Sequence, residues 1–216
     1  MSERASSPRV RDPEKTRAAI LDASLDLILD HGYGATTVDA VVQRAGITKG
    51  AFFHHFGSKA ELARALVERY AEMDRAHLEA HLVRARKLSP DPLQQIFILL
   101  GLYEEDFEAM DGPFPGCLFA SYIYENKLFD EGTIAVLRES TLMWRAVMRE
   151  MLEKAIAAHP PRVPVDVESL ADLFYAIPEG SFVMTKTLGD RTLLARHARH
   201  LRTYLELLFL DRGQTT

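Results

Sequence analysis

The sequence predicts an all-α protein: a three-helix head built around a helix-turn-helix, then a helical bundle, about nine helices in all. Three observations carry this. Apolar residues recur at spacings of three and four along most of the chain, with no useful period-two run to suggest a sheet. Helix-opening signals repeat at Asp12-Pro13, Ser58 with Glu61, Asp91-Pro92, Asp130 and Asp166. Residues 37–56, TVDAVVQRAGITKGAFFHHF, read as two short helices around a tight turn.

Composition sets outer limits. With 216 residues and 47% apolar content the chain can bury a sizeable core as one large domain or two small ones. No run approaches the roughly 18–20 apolar residues of a membrane helix, so no membrane partner is expected. The opening MSERASSPRVRDPEK has no apolar stretch and does not resemble a signal peptide. Cys117 is the single cysteine, which excludes an intrachain disulfide and a cysteine-based zinc cluster and suits a reducing, cytoplasmic setting. The net charge of −5 argues against a general nucleic-acid binder, but its distribution is uneven. Residues 1–60 carry a net +1 and residues 61–216 a net −6. Phosphate contact therefore falls to the N-terminal part, where Arg4, Arg9 and Arg11 lie in a small, polar stretch expected to be a disordered arm (1–11).

The head follows at 12–58. Asp12 caps a helix with Pro13 in its first turn, and Ile20, Leu21, Ser24, Leu25, Ile28 and Leu29 mark its buried face. Gly32 ends it. Val38, Val41, Val42 and Ala45 give the next helix an apolar face. Gly46 supplies a turn that a residue without Cβ takes cheaply, and Ile47 fills the space beneath it. Thr48 caps a short helix whose Phe52 and Phe56 face inward. Lys49, Gly50, Ala51, Phe53, His54 and His55 are left outward or at the edge. A short rigid helix presenting a cation, small residues and ring tips suits the DNA major groove.

The body is expected over 59–211. Ser58 and Glu61 form a capping box for a long helix that leaves the head and enters the bundle, a natural mechanical link. A helix rich in bulky apolar residues starts at Asp91 and breaks at 111–116, DGPFPG. A short helix spans about 117–125, a long one 131–158, and two more lie at 166–188 and 190–210. Pro178 sits inside the first of these last two and removes one backbone bond. Leu173, Ile177, Gly180 and Met184, then Leu194, His197, Leu201, Tyr204, Leu205 and Leu208, form seams that can face another helix. Paired across two subunits they make a four-helix bundle, so a homodimer is expected. Two-fold symmetry in a helix-turn-helix protein matches a palindromic site. Phe97, Tyr103, Phe107, Phe119, Tyr122, Trp144, Met148 and Phe174 form a dense aromatic and Met-rich set. Plain core packing explains part of it, and an apolar ligand pocket the rest.

Residues 14–62 resemble the DNA-binding domain of tetracycline-repressor (TetR) family regulators. The resemblance spans the first helix, the G-Y-x-x-T-T-V turn, the A-G-I-T-K-G-A-F turn and reading helix, and the H-F-G-S-K-x-E-L start of the fourth helix. It implies a one-component transcriptional regulator, most often a repressor, whose C-terminal domain dimerises and binds a small molecule that releases operator DNA. It further implies that Thr37 and Thr48 bond phosphate, that Lys49 meets phosphate or a base edge, and that Gly50 permits close approach. Ala51 would meet a thymine methyl, His54 would donate to phosphate and Lys59 would clamp it. Phe53 stands where the family often has tyrosine, so a phosphate bond is lost there and packing remains.

Other chemistries find less support. No phosphate loop, nucleophile elbow or HExxH occurs, so neither an enzyme nor a cofactor is expected. His77 and His81, with Asp74 on the same side, and His197 with His200 have metal-like spacing, but without visible further ligands they read as solvent-facing or interface histidines, and no metal is expected. Cys117, at a helix N-terminus, offers an electrophile- or redox-sensing alternative through a lowered thiol pKa. A TetR-like activator is a second alternative.

Overall fold

The computed structural model of the chain describes residues 12–110 and 116–210. The described residues form nine α-helices and one 3-10 turn, with no strand among them. The helices are α1 (Pro13–His31), α2 (Val38–Ala45), α3 (Lys49–His55), α4 (Lys59–Leu88), α5 (Pro92–Ala109), α6 (Leu118–Tyr124), α7 (Glu131–Ala158), α8 (Val167–Leu188) and α9 (Thr192–Phe209). The expected arm 1–11 and most of the breaker at 111–116 lie outside the described residues. No helix among the described residues is long and apolar enough to cross a membrane.

Local chemistry explains the helix starts. Thr37, Thr48 and Ser58 each accept the backbone N–H three residues on at 3.1 Å, and Asp91 and Asp130 do the same at 2.9 and 2.6 Å. Such caps satisfy orphan donors and contribute about 1 kcal/mol each. The expected capping box is displaced by one residue: Glu61 reaches back to the N–H of Gly57, at 2.8 Å. Gly46 ends α2 with φ 61°, the left-handed turn that leads into α3. α8 runs through Pro178 as one helix.

Two apolar cores result. The first joins Ile20, Leu21 and Ile28 of α1, Val41, Phe52 and Phe56 of the helix-turn-helix, Leu62, Leu66 and Val67 of α4, and Leu118, Phe119 and Tyr122 of α6. The second gathers Leu78 and Leu82 of α4 with α5, α7, α8 and α9. The 30-residue α4 thus belongs to both. Each fully buried Leu or Phe contributes about 1.5–3 kcal/mol, so α4 is held firmly at both ends.

A polar clasp reinforces the first core. The Glu125 carboxylate, just past α6, accepts the N–H groups of Tyr33 and Gly34, each at 2.7 Å. A Cβ on Gly32, where φ is +84°, would stand 2.6 Å from that carboxylate, so glycine is required twice over. Tyr33 also packs on Tyr122 and Phe129, with ring centroids 5.9 and 4.5 Å away. The α1–α2 turn is therefore fastened to α6.

Candidate functional site

Two sites emerge, one on the head and one inside the body. On the head, Phe52 and Phe56 are buried as their four-residue spacing demands. That rotation leaves Thr48, Lys49, Gly50, Phe53 and His54 exposed, with Ala51 and His55 half-buried at the edge. Phe53 is 48% exposed although it packs edge-on against Phe52. A Cβ on Gly50 would meet only Thr48 Oγ1, at 3.9 Å, so nothing within the chain demands glycine there. Lys49 pairs with Asp39 at 2.9 Å, both side chains well exposed. Such a pair is worth about 1 kcal/mol at most and yields readily to a phosphate. Thr37 and Thr48 accept their cap bonds and keep a hydroxyl proton to donate.

Lys59, the expected phosphate clamp, has partners within the chain. Its ammonium donates to the carbonyl of Tyr33 at 2.6 Å and lies 4.0 Å from the centre of the Tyr33 ring. Burial lowers its pKa, partly offset by the Glu125 carboxylate. The side chain therefore ties α4 to the α1–α2 turn.

Within the body, a cavity of about 500 Å³ opens between α4, α5, α6, α7, α8 and α9. Its wall is mostly aromatic and aliphatic, with a few polar groups. Trp144 Nε1 donates to Asp74 Oδ2 at 2.6 Å. The Tyr103 hydroxyl is buried with no hydrogen-bond partner among the described residues. Burial raises the pKa of Asp74 against the opposing pull of the Trp144 hydrogen bond and His77, and burial likewise raises Glu179. Cys117 also lines this wall. Burial first, then the Glu179 charge, pushes its thiol pKa up. That corrects the expectation of an activated thiolate: the seven-residue α6 does not overcome desolvation.

Comparison with known proteins agrees with this architecture. Residues 20–66 match the profile of bacterial regulatory proteins of the tetR family, and residues 92–201, half the chain, match the tetracyclin repressor-like C-terminal domain. The chain belongs to the tetracycline-repressor family. It is 25% identical to the transcriptional regulator AcuR of Cereibacter sphaeroides over 180 residues, 81% of this chain and 78% of that one. It is 30% identical to the transcriptional repressor KstR2 of Mycobacterium tuberculosis over 95 residues, 44% of each chain. A TetR regulator from Chloroflexus aurantiacus superposes with a TM-score of 0.76 at 25% identity, over 93% of this chain and 98% of that one.

Among the expected pocket residues of this family member, Tyr103, Phe107, Phe119, Trp144 and Phe174 line the cavity. Phe97, Tyr122 and Met148 do not. Phe97 lies in the second core beneath the Arg202 guanidinium, and Met148 packs in the same core. Tyr122 donates to the carbonyl of Ala63 at 3.1 Å in the first core. Sequence reasoning missed Tyr70, Asp74, Tyr175 and Glu179. A signal was present: each helix, α4 and α8, carries a Tyr four residues before an acid, which puts a polar pair on one face.

The seams of α8 and α9 are also sorted by the structure. Leu173, Ile177, Gly180 and Met184 line a shallow surface groove together with His197, His200 and Tyr204. Leu194, Leu201, Leu205 and Leu208 are no more than 4% exposed. Leu194, Leu205 and Leu208 serve the subunit's own core, because α9 turns its leucine stripe toward α5 and α8, whereas Leu201, equally buried, also forms part of the groove floor. The groove-facing set is thus narrower than the heptad pattern suggested. Finally, His77 and His81 are not simply solvent-facing: both meet Asp106 of α5, while Asp74 turns to Trp144.

Proposed function

We propose that the chain is a homodimeric transcriptional repressor that binds a palindromic operator through α2 and α3 and releases it when a small apolar or amphipathic molecule enters the body cavity. The cavity wall carries this reading, because Tyr70, Asp74 and His77 of α4 form part of it while Leu62 and Leu66 of the same helix anchor the head. Effector binding and head position therefore share one rigid element. α6 adds a second route, since Cys117 and Phe119 face the cavity and Glu125 grips the α1–α2 turn. An effector shifts the equilibrium only by as much as it prefers the released arrangement. The wall chemistry suits a molecule with an apolar body and an acceptor for the Tyr103 hydroxyl, and the burial that raises the pKa of Asp74 and Glu179 equally penalises a charged group on the ligand.

On the head, Thr37, Thr48, His54 and Lys59 serve as phosphate donors, Lys49 as a phosphate or base contact, and Gly50, Ala51 and Phe53 as the close-packing surface. The groove on α8 and α9, flanked by exposed Val183, Met184 and Tyr204, is the dimer face. A Cβ on Gly180 meets nothing within 4 Å, so Gly180→Glu leaves the subunit intact and should yield a monomer in sedimentation. A regulator of this kind works in the cytoplasm, beside the chromosome.

The deciding experiment is a mobility-shift titration of the full chain on DNA from its own upstream region, at low salt, repeated with a panel of small molecules. A specific shift reversed by one class of molecule supports the reading. No shift with any upstream fragment overturns it. Increased transcription of the bound promoter on gene deletion marks a repressor, and decreased transcription an activator.

A further inference from the structure

We propose that His77, His81 and Asp106 form a binding site for a divalent transition-metal ion, zinc by its ligand chemistry, that ties α4 to α5 at the wall of the body cavity. His77 and His81 are four apart on α4, so both imidazoles leave the same face. Their ring centroids are 4.4 Å apart. Asp106 approaches from α5, and its Oδ2 lies 2.8 Å from His77 Nε2 and 2.6 Å from His81 Nε2. All three donor atoms lie within 4.8 Å of one another. Bonds of about 2.0–2.1 Å to a tetrahedral zinc ion place donor atoms roughly 3.3 Å apart. Each imidazole nitrogen therefore needs to move under about 1 Å from the Asp106 oxygen, a change that small rotations of the exposed His77 and half-exposed Asp106 side chains supply.

The donor set is selective. Two imidazole nitrogens and one carboxylate oxygen suit zinc and its first-row neighbours, whereas calcium and magnesium prefer all-oxygen sites. Two nitrogens sharing one carboxylate oxygen also match the pattern in which an ion replaces protons. On binding, each Nε2 lone pair turns to the metal and the ring proton moves to Nδ1 or to solvent. The His81 ring is already oriented, lying edge-on to Tyr103 at 4.8 Å and 90°, and its side chain is only 12% exposed. Preorientation of this kind is what ligand histidines require. His77 and Asp106 both line the cavity. A three-ligand site there keeps a coordination position free for water or for a donor atom of the effector.

The consequence for regulation rests on the effector-release reading given above. An ion bridging α4 and α5 resists the shift of α4 on which release depends. Zinc then raises the effector concentration needed to free the operator, or requires an effector able to coordinate it.

The test uses tag-free full-length protein and the metal alone. Zinc titration by calorimetry, and cobalt(II) titration followed by visible absorption, are expected to give one ion per protomer with the bands of a low-coordinate nitrogen–oxygen site. His77→Gln and Asp106→Asn, both on partly exposed side chains, should each weaken binding at least tenfold, and the double variant should abolish it with the melting temperature retained. Cys117→Ser should leave binding unchanged. Unchanged binding in the double variant, or no binding at micromolar zinc, overturns the proposal. Operator titration with and without zinc reads the coupling separately: zinc bound at this site without effect on operator release removes the regulatory consequence and leaves the site, whereas failure to bind any operator removes the effector-release reading alone.

Discussion

The head and the body of this regulator acquire their sites in opposite ways. The head's reading surface comes from one continuous stretch, and the rotation of α3 within it is set by the burial of Phe52 in that helix and Phe56 at its C-terminal cap. The body's cavity draws residues from six helices spread over more than half the chain. Local periodicity therefore determines what the head presents, whereas the cavity exists only once α4 to α9 have packed. The difference also shows in tolerance. Head-face residues carry little of the fold, while cavity residues such as Trp144 and Glu179 are bonded into it.

Substitutions can break or sharpen this contrast, and Gly50→Leu should have the largest effect. Its site is open in the free protein, and leucine is the better helix former by up to about 1 kcal/mol. Thermal stability should hold or rise, while operator affinity falls about a hundredfold, or ~2.7 kcal/mol. Retained affinity would show that no DNA surface approaches this position.

Glu125→Ala tests the joint between the two regions. It removes two charge-assisted hydrogen bonds to the α1–α2 turn and should cost about 2 kcal/mol of stability by denaturant unfolding. Effector-driven release should weaken more than operator binding does. Equal loss in both would place Glu125 in the head alone.

Lys49→Ala should change stability by less than about 0.5 kcal/mol, since its partner Asp39 is well exposed. Operator affinity should fall about tenfold and the slope of affinity against salt should decrease by about one. An unaltered salt slope would remove Lys49 from the phosphate contacts.

Glu179→Gln should give the smallest effect, in the opposite direction. Burial holds the Glu179 pKa above its usual value. A carboxyl raised in this way contributes stability that is present below the unfolded pKa and lost as pH rises through the folded one. The variant should therefore be more stable than the parent at neutral pH, by about 1 kcal/mol, and show a flatter decline of melting temperature as pH rises beyond the ordinary glutamate range. A parallel decline in both proteins would mean that Glu179 is ionised without penalty.

Much of the fold is legible in the sequence because its signals are local. Asp12, Thr48, Ser58, Asp91 and Asp130 cap the helices they were expected to cap, since a cap needs only the N–H two or three residues on. The orientation of the reading helix follows equally from the four-residue spacing of two phenylalanines. The sequence by itself also determined that α4 would leave the head and run into the bundle, because its apolar pattern continues unbroken.

Only the tertiary structure decided which apolar residues surround space and which fill it. Phe97, Tyr122 and Met148 have the same composition signature as Tyr103, Phe107 and Trp144, yet they are packed solid, and periodicity does not register voids. Lys59 was legible as a cation near the head's face, but the carbonyl that engages it lies 26 residues away. The leucines of α9 made a clean seam that α5 and α8 bury within the same subunit. His77 and His81 were visible as a pair on one helix face, but their third partner, Asp106, arrives from α5. Spacing along a helix reports what shares a face, and the partner across the gap is set by packing.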